Sequence, residues 1–203
     1  IQEAFSLSES LKLPILFRMV TRLAHSRASV KVKEDAKTEN ALNPDEGRHW
    51  VLLPAIARRN YISLIEKQNE IIKASEESRF NDHNDPSKSP LSRGDFQSIG
   101  SGSSPLEGRL GRVLGIVACG IGYNYVMESG TQLPVVKVSQ YPIPENKIKE
   151  LAAQCNEILV VEDGQPFIEE KMAGLLPQAE WEICGRLTGH LPRTGELTPD
   201  SVA

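Results

Sequence analysis

The sequence predicts an α/β fold in which a parallel sheet is covered by flanking helices. Beyond residue 110, short apolar segments typical of buried strands alternate with amphipathic segments typical of helices, and the links between them are short. Parallel strands require a crossover helix between them, and this alternation supplies one after each strand. A long helical pattern over about residues 54–78 precedes this half of the chain.

The first thirty residues predict a helix followed by a strand. The apolar segment LPILFRMV (13–20) follows the helical pattern and is short enough to be a buried strand. Ligands of α/β proteins usually lie where strands end, so the polar segment that comes next could receive a carboxylate or a phosphate through Arg22, His25 and Arg27. A lone loop histidine is more often a surface residue, and that interpretation also stays open. The apolar residues at helical spacing are Ile1, Ala4, Phe5 and Leu11.

Residues 31–109 are predicted to connect two compact regions. The charged residues 31–48 favour a solvated connection, and the apolar stripe over about 54–78 predicts one long helix, which we interpret as a strut. Residues 79–109 are rich in Ser, Gly, Pro, Asp and Asn, a composition typical of a flexible linker. The DHNDPS within it lacks the glycine and the closing glutamate of a calcium loop.

The second half predicts strands and helices in strict alternation, with Gly130 closing the first helix. The predicted strands are VLGIVA (113–118), PVVKVS (134–139), EILVVED (157–163) and AEWEIC (179–184). The predicted helices are YNYVMES (123–129), PENKIKELAAQC (144–155) and PFIEEKMAGLL (166–176).

Two glycines, Gly120 and Gly122, lie between the first of these strands and its helix, where a nucleotide phosphate could bind. A dinucleotide fingerprint needs a third glycine, and Tyr125 occupies that position. Residues 140–144, QYPIP, also lack the acidic residue that would hold a ribose. A tight strand-to-helix turn is therefore favoured, and phosphate binding is the alternative.

Glu162 and Asp163 lie at the carboxyl end of the third predicted strand, where paired carboxylates could do acid–base work or bind magnesium. A solvated or helix-capping role is the favoured interpretation. No asparagine occurs in residues 165–203, so these residues do not complete a thiamine diphosphate magnesium motif.

The sequence predicts no metal ligands. Cys119, Cys155 and Cys184 show no CxxC spacing and favour buried, reduced thiols. The remaining histidines have no partner at ligand spacing: His49, His83 and His190.

Composition disfavours two classes of partner. At a formal net charge of −4 and a pI near 5.7, the scattered basic residues form no cluster that would bind nucleic acid. No apolar run is long enough to span a membrane and no signal peptide opens the chain, so we expect a cytoplasmic protein. Because Ile1 begins inside a helical pattern, we also expect a piece of a longer polypeptide.

Six blocks, in order, resemble the alpha subunits of indolepyruvate:ferredoxin oxidoreductases, a thiamine diphosphate-dependent 2-oxoacid:ferredoxin oxidoreductase family. The resemblance covers nearly the whole chain except the linker around 82–108. The blocks are AFSLSESLKLPILFRMVTRLAHSRA, WVLLPAIARRN, GIVACGIGYNYVMES, VSQYPIPENKIKELA, ILVVEDGQPFIEEKM and GELTPD.

The resemblance implies a domain organisation. Residues 1–30 would be the C-terminal part of a pyrimidine-binding domain, residues 31–109 a connector, and residues 110–203 a transketolase C-terminal-like domain. It also implies that the full-length enzyme oxidatively decarboxylates arylpyruvates such as indolepyruvate to the aryl-acetyl-CoA, with electrons passing to ferredoxin. Thiamine diphosphate, magnesium and 4Fe-4S clusters would be its cofactors, and its partners would be a beta subunit, ferredoxin, coenzyme A and the arylpyruvate.

For this segment the resemblance implies a scaffold with no catalytic residue and no bound cofactor, inactive by itself. Arg22 and His25 are then the candidates for contact with the oxoacid carboxylate or the cofactor region. The alternative is a non-catalytic α/β module that binds a nucleotide or a partner at Gly120 and Gly122.

Overall fold

The computed structural model describes residues 1–29, 31, 51–84, 114–175, 182–195 and 197–202. The chain divides into two compact units, Ile1–Ile71 (unit 1) and Ile72–Ala203 (unit 2). The charged connection predicted for residues 31–48 and the linker beyond residue 84 fall almost entirely outside the described residues.

Unit 1 contains the predicted first helix but not the predicted strand. Helix α1 (Gln2–Leu11) ends where Lys12 adopts a left-handed conformation at φ 52°. Residues 14–20 form no strand, so the strand prediction for LPILFRMV is wrong. A strand needs a neighbour for its backbone groups and cover for its apolar side chains, and Leu16 is instead 94% exposed. A short helix, α2 (Thr21–Ala24), follows.

The predicted long helix is divided in two at Lys67. Helix α3 (Pro54–Glu66) and helix α4 (Gln68–Glu76) flank this residue. The side-chain amide of Gln68 donates to Leu64 O at 3.0 Å, the carbonyl that its own backbone N–H would bond in a continuous helix. The Lys67 ammonium donates to Leu11 O at 2.7 Å, which ties the break to the end of α1 within unit 1.

Unit 2 is built on a mixed sheet with strand order β1-β3-β2-β4-β5. Pairs β2–β3, β2–β4 and β4–β5 are parallel, which confirms the parallel prediction for the second half, while β1 pairs antiparallel with β3 at the edge. Edge strand β1 lies in the segment predicted as a flexible linker, so that prediction is wrong for residues 83–84. The strands are β1 (His83–Asn84), β2 (Leu114–Cys119), β3 (Val135–Val138), β4 (Glu157–Val161) and β5 (Glu182–Cys184).

Helices cover the sheet on both faces, and each face has its own apolar cluster. Helices α6 and α7 cover one face; α5 and the C-terminal segment, including α8, cover the other. The helices are α5 (Ile121–Glu128), α6 (Glu145–Ala152), α7 (Phe167–Leu175) and α8 (Pro199–Val202). The first face buries residues such as Val117, Val160, Ile148, Leu151, Ile168 and Met172. The second buries residues such as Ala118, Leu159, Val161, Val126, Leu191 and Leu197.

Asn81 is fully buried and joins the end of α4 to the loop after β3. Its Nδ2 donates to Ser75 O at 3.1 Å, to Ser75 Oγ at 2.9 Å and to Gln140 O at 2.8 Å. Its Oδ1 accepts from the backbone N–H groups of Ser139 at 2.8 Å and Gln140 at 2.9 Å. One side chain therefore satisfies backbone groups from two segments that are far apart in sequence.

Replacing Asn81 with alanine should lower the free energy of unfolding by on the order of 3 kcal/mol, because the N–H groups of Ser139 and Gln140 lose buried acceptors. Urea unfolding of the chain measures this loss. The matched control is Asn146→Ala on the exposed side of α6, which should change the free energy by less than about 0.5 kcal/mol. Equal effects of the two substitutions would contradict the role given to Asn81.

Candidate functional site at the carboxyl edge of the sheet

The strand order reverses at β2, because β3 lies on one side of it and β4 on the other. The helix between β2 and β3 covers one face, and the helix between β3 and β4 covers the other. In open α/β sheets such a reversal leaves a crevice at the carboxyl ends of the strands, where ligands bind. Here that edge carries Gly120 after β2 and Glu162 after β4, so it is the candidate site.

The glycine pair is explained by backbone geometry. Gly120 has φ +53°, a conformation that L side chains rarely adopt, and its N–H donates to Val138 O at 3.1 Å. A Cβ on Gly122 would lie 2.8 Å from Val161 O, so α5 can approach β4 only with glycine at this position. The two glycines thus serve a tight turn and a close helix–strand contact.

Tyr125 occupies the position of the third fingerprint glycine and belongs to the core. Its side chain is buried with Val126 in the cluster on the α5 face of the sheet. Close packing of helix on strand, which the third glycine provides in a dinucleotide fold, is provided here by Gly122. The turn interpretation of the sequence agrees with this geometry.

The Glu162 carboxylate caps helix α7. It accepts the Ile168 N–H at 3.1 Å and 3.0 Å through its two oxygens and the Glu169 N–H at 3.1 Å. Burial raises the pKa of Glu162 above its ordinary value, with a smaller contribution from Glu169, although the hydrogen bonds from the helix oppose the rise. Of the solvated and helix-capping roles expected for this carboxylate, the structure shows the capping role.

Cys119, at the end of β2, is a poor nucleophile in this setting. Burial raises the pKa of its thiol strongly, and the charge of Glu162 raises it further. A thiol that stays protonated cannot attack a substrate as a thiolate. The same Glu162 charge disfavours a phosphate at the neighbouring glycine turn.

Asp163 contributes to anchoring the segment near the C-terminus. Its Oδ1 lies 3.7 Å from Nη2 of Arg186, whose side chain is almost completely buried. Arg186 also donates to Gly164 O at 2.7 Å and to Gly195 O at 3.0 Å. The backbone N–H of Leu197 donates to the same Asp163 oxygen at 3.4 Å. Both carboxylates after β4 therefore have structural partners rather than a shared position for acid–base work.

The basic residues predicted to contact a ligand lie in unit 1. His25 and Arg27 are exposed and follow α2, and the side chain of Arg22 lies outside the described part of the structure. The argument that placed them at a strand end does not hold, because the preceding segment is not a strand. Their contact with a substrate or cofactor stays a prediction.

One group of chemically capable side chains has no signal in the sequence. Glu157 on β4, Cys184 on β5 and His190 in the following loop each place one ligand atom within 4.8 Å of the others. Glu157 and Cys184 are 27 positions apart, so only the pairing of β4 with β5 brings them together.

Among the described helices, none combines the length and apolar character needed to cross a bilayer.

Gly122→Ala should destabilise the chain by roughly 1–3 kcal/mol, because its Cβ would press on the Val161 carbonyl, which belongs to the sheet and cannot move aside. Gly174→Ala is the matched control, since it is an exposed α7 glycine with open space where a Cβ would lie. It should raise the free energy of unfolding by up to about 1 kcal/mol through helix propensity. Chemical denaturation compares the two, and a neutral Gly122→Ala would show that the turn does not need glycine there.

Two substitutions separate the charge of Glu162 from its capping role. The raised pKa means that the folded state holds the Glu162 proton more tightly than the unfolded state, so stability falls as the pH rises from the ordinary glutamate range through the raised pKa. Glu162→Gln keeps an acceptor oxygen without a charge. Its stability relative to the unsubstituted chain should therefore increase over this pH interval and then stay constant.

Glu162→Ala removes both charge and acceptor, so it should be less stable than Glu162→Gln by roughly 1–2 kcal/mol at every pH. Urea unfolding at a series of pH values measures both differences. If the difference between Glu162→Gln and the unsubstituted chain does not vary with pH, the charge of Glu162 has no effect on folding.

Comparison with known proteins finds curated relatives of one kind. The chain is 31% identical to indolepyruvate oxidoreductase subunit IorA of Methanothermobacter thermautotrophicus, over 97% of this chain and 30% of the relative. It is also 31% identical to the subunit of the same name from Archaeoglobus fulgidus, over 95% of this chain and 28% of the relative. The subunit of this name from Methanothermobacter marburgensis is 28% identical over 98% of the chain.

No protein-family model matches the chain, and no solved structure is a significant match. The chain spans about 30% of the length of the curated relatives it matches. Within that span, the alignment runs through both units and through the carboxyl edge of the sheet. The resemblance carried by the six sequence blocks is thereby confirmed, and over nearly all of its length this chain is a relative of the indolepyruvate oxidoreductase subunit IorA.

Proposed function

We propose that the chain is a structural part of an enzyme that oxidatively decarboxylates arylpyruvates. In this reaction the carboxyl group leaves as CO₂, the acyl carbon is joined to the sulfur of coenzyme A, and two electrons pass to ferredoxin. The names of the relatives, which are indolepyruvate oxidoreductase subunits, support the substrate class. Thiamine diphosphate, magnesium and 4Fe-4S clusters belong to the proposal for the whole enzyme, with a beta subunit as its partner.

The residues described at the carboxyl edge of the sheet do not fit a thiamine diphosphate site. Glu162 caps α7, and Asp163 lies beside Arg186 and accepts from the Leu197 N–H, so neither is placed as a magnesium ligand. Cys119 stays protonated, and Gly120 and Gly122 are required by the turn.

Residues 110–203 are proposed to be a transketolase C-terminal-like domain that acts as scaffold. The observation that carries this proposal is that Glu162 caps α7, while Asp163 and Arg186 hold the segment near the C-terminus. A scaffold domain needs a core of its own, and unit 2 has apolar clusters on both faces of its sheet.

Residues 1–30 are proposed to be the C-terminal part of a pyrimidine-binding domain that packs against other parts of the enzyme. Helix α3, which follows in unit 1, has no buried residue, and Phe5, Tyr61 and Ile62 expose more than half of their surface. Apolar surface of this kind marks sites of association.

His25 and Arg22 stay the proposed contacts for the oxoacid carboxylate, and a cytoplasmic location stays a prediction.

The whole enzyme, with the complete alpha subunit and its partner, should reduce a low-potential dye when given coenzyme A and indolepyruvate. Its kcat/KM for indolepyruvate should exceed that for pyruvate by about tenfold or more, because specificity follows the fit of the side chain in the transition state. A dye-reduction assay with both oxoacids measures this ratio. Preference for pyruvate, or no reaction with either oxoacid, would overturn the proposed substrate class.

The scaffold role is tested by Glu162→Gln in the same enzyme. A general acid or base contributes roughly 10²–10⁴-fold to the rate, whereas a capping residue does not act on the substrate. We expect kcat to stay within about threefold of the unsubstituted enzyme, and a hundredfold loss in a folded variant would make Glu162 catalytic.

In addition, thiamine diphosphate with magnesium should leave the Tm of the 203-residue chain unchanged, and a rise of several degrees would place the cofactor here.

A further inference from the structure

We propose that Glu157, Cys184 and His190 form a zinc site in unit 2, where β4, β5 and the loop after β5 meet. One carboxylate oxygen, one thiol sulfur and one imidazole nitrogen lie within 4.8 Å of one another. These are the three kinds of ligand that zinc takes from proteins. The site shares no residue with the candidate site at Gly120 and Glu162. The zinc proposal also does not depend on the proposed enzyme reaction.

The pairing of β4 with β5 sets the first two ligands. Glu157 is in register with Glu182, and Cys184 lies two residues further along β5. The Sγ of Cys184 is 3.3 Å from Oε1 of Glu157. Zinc bonds of about 2.3 Å to sulfur and 2.0–2.2 Å to oxygen, arranged tetrahedrally, separate two such ligand atoms by about 3.5 Å. The two side chains therefore already have the spacing that zinc requires.

The loop after β5 holds the third ligand. The backbone N–H of His190 donates to Gly185 O at 3.0 Å, which turns the loop back toward β5. Thr188 Oγ lies 3.0 Å from Nδ1 of His190, accepts the Gly185 N–H at 2.7 Å and can donate to Gly185 O at 3.2 Å. With the hydroxyl proton directed to Gly185 O, Nδ1 of His190 donates to Thr188, and Nε2 is then the ring nitrogen without a proton. Metal-bound histidines are commonly oriented by such a bond.

The loop itself is fixed from the α7 side. The Glu169 carboxylate accepts the Leu187 N–H at 3.1 Å and 3.0 Å. A Cβ on Gly185 would lie 2.6 Å from Glu169 Oε2, so glycine at this position allows the loop to close on the carboxylate. The position of His190 is therefore set by the fold and not by a long mobile connection.

Charge and burial favour zinc over other common cations. Cys184 is 1% exposed and Glu157 is 5% exposed, so a site with net charge would be costly there. A divalent ion with one thiolate, one carboxylate and a neutral imidazole is electrically neutral. Calcium and magnesium prefer oxygen ligands, whereas zinc accepts sulfur and nitrogen.

Zinc binding at this site needs no oxidant or reductant. The Cys184 thiol loses its proton to solvent as the sulfur–zinc bond forms, while Glu157 binds as carboxylate and His190 as neutral imidazole. Three protein ligands leave a fourth position for a water molecule, and the exposed side of His190 gives the ion a route of entry. The bound ion would join the edge strand β5 to β4 and to the loop.

Zinc should bind to the metal-free 203-residue chain at one ion per chain. Competition with a chromophoric chelator measures the affinity, and elemental analysis after gel filtration measures the ratio. Cys184→Ser and His190→Gln should each weaken binding by about tenfold or more, and Thr188→Val should weaken it by about tenfold through loss of the bond that orients His190. Cobalt in place of zinc should give a thiolate-to-metal charge-transfer band that Cys184→Ser abolishes.

Cys155→Ser is the matched control, because this buried cysteine belongs to the cluster on the opposite face of the sheet and should leave zinc affinity unchanged. His190→Gln guards against loss of folding, since the His190 side chain is exposed. The site would be overturned if the unsubstituted chain failed to bind zinc, or if the folded His190→Gln and Cys184→Ser variants bound zinc as tightly as the unsubstituted chain. In either case the contact between Cys184 and Glu157 would be a thiol–carboxylate hydrogen bond.

Discussion

The two central parallel strands, β2 and β4, are covered by side chains on both faces, and this double burial determines the layout of unit 2. All five residues of β4 are buried, so its polar backbone must be satisfied by strands on either side. Parallel neighbours require crossover helices, and these must be divided between the two faces to cover both. The reversal of strand order at β2 is the consequence.

The same packing crowds the edge where the strands end. Helix α5 approaches β4 so closely that only glycine fits at position 122, and α7 begins close enough for the Glu162 carboxylate to cap it. Buried carboxylates are costly unless they accept hydrogen bonds, so each one at this edge has partners in a neighbouring segment. Asn81 and Arg186 play the same part with amide and guanidinium groups. At this edge the described carboxylates of Glu162 and Asp163 thus hold the protein's own helix and loop.

Periodicity in the sequence was sufficient for the core and failed where long-range contacts decide. Strands β2 to β4 come from apolar segments, and helices α5 to α7 come from amphipathic segments. In each case the hydrophobic pattern of the segment itself indicates which residues are buried. LPILFRMV has the composition of a strand, but none forms there in the described structure. The break at Lys67 depends on a side-chain amide that takes a backbone acceptor, and β1 depends on its antiparallel pairing with β3. No pattern local to these segments encodes either contact.

The candidate site was predictable to a smaller degree than the fold, for a related reason. The capping role of Glu162 follows from its place between a strand and a helix, which sequence shows. The meeting of Glu157, Cys184 and His190 follows from strand register and loop closure, which sequence does not show. The two units also differ in how far their apolar residues are buried. Unit 2 buries its apolar residues in clusters of its own, whereas the described part of unit 1 leaves helix α3 without a buried residue. Apolar surface gains stability only when covered, so the exposed apolar residues of unit 1 support the proposal that it packs against further protein, and the apolar clusters of unit 2 support the proposed scaffold role.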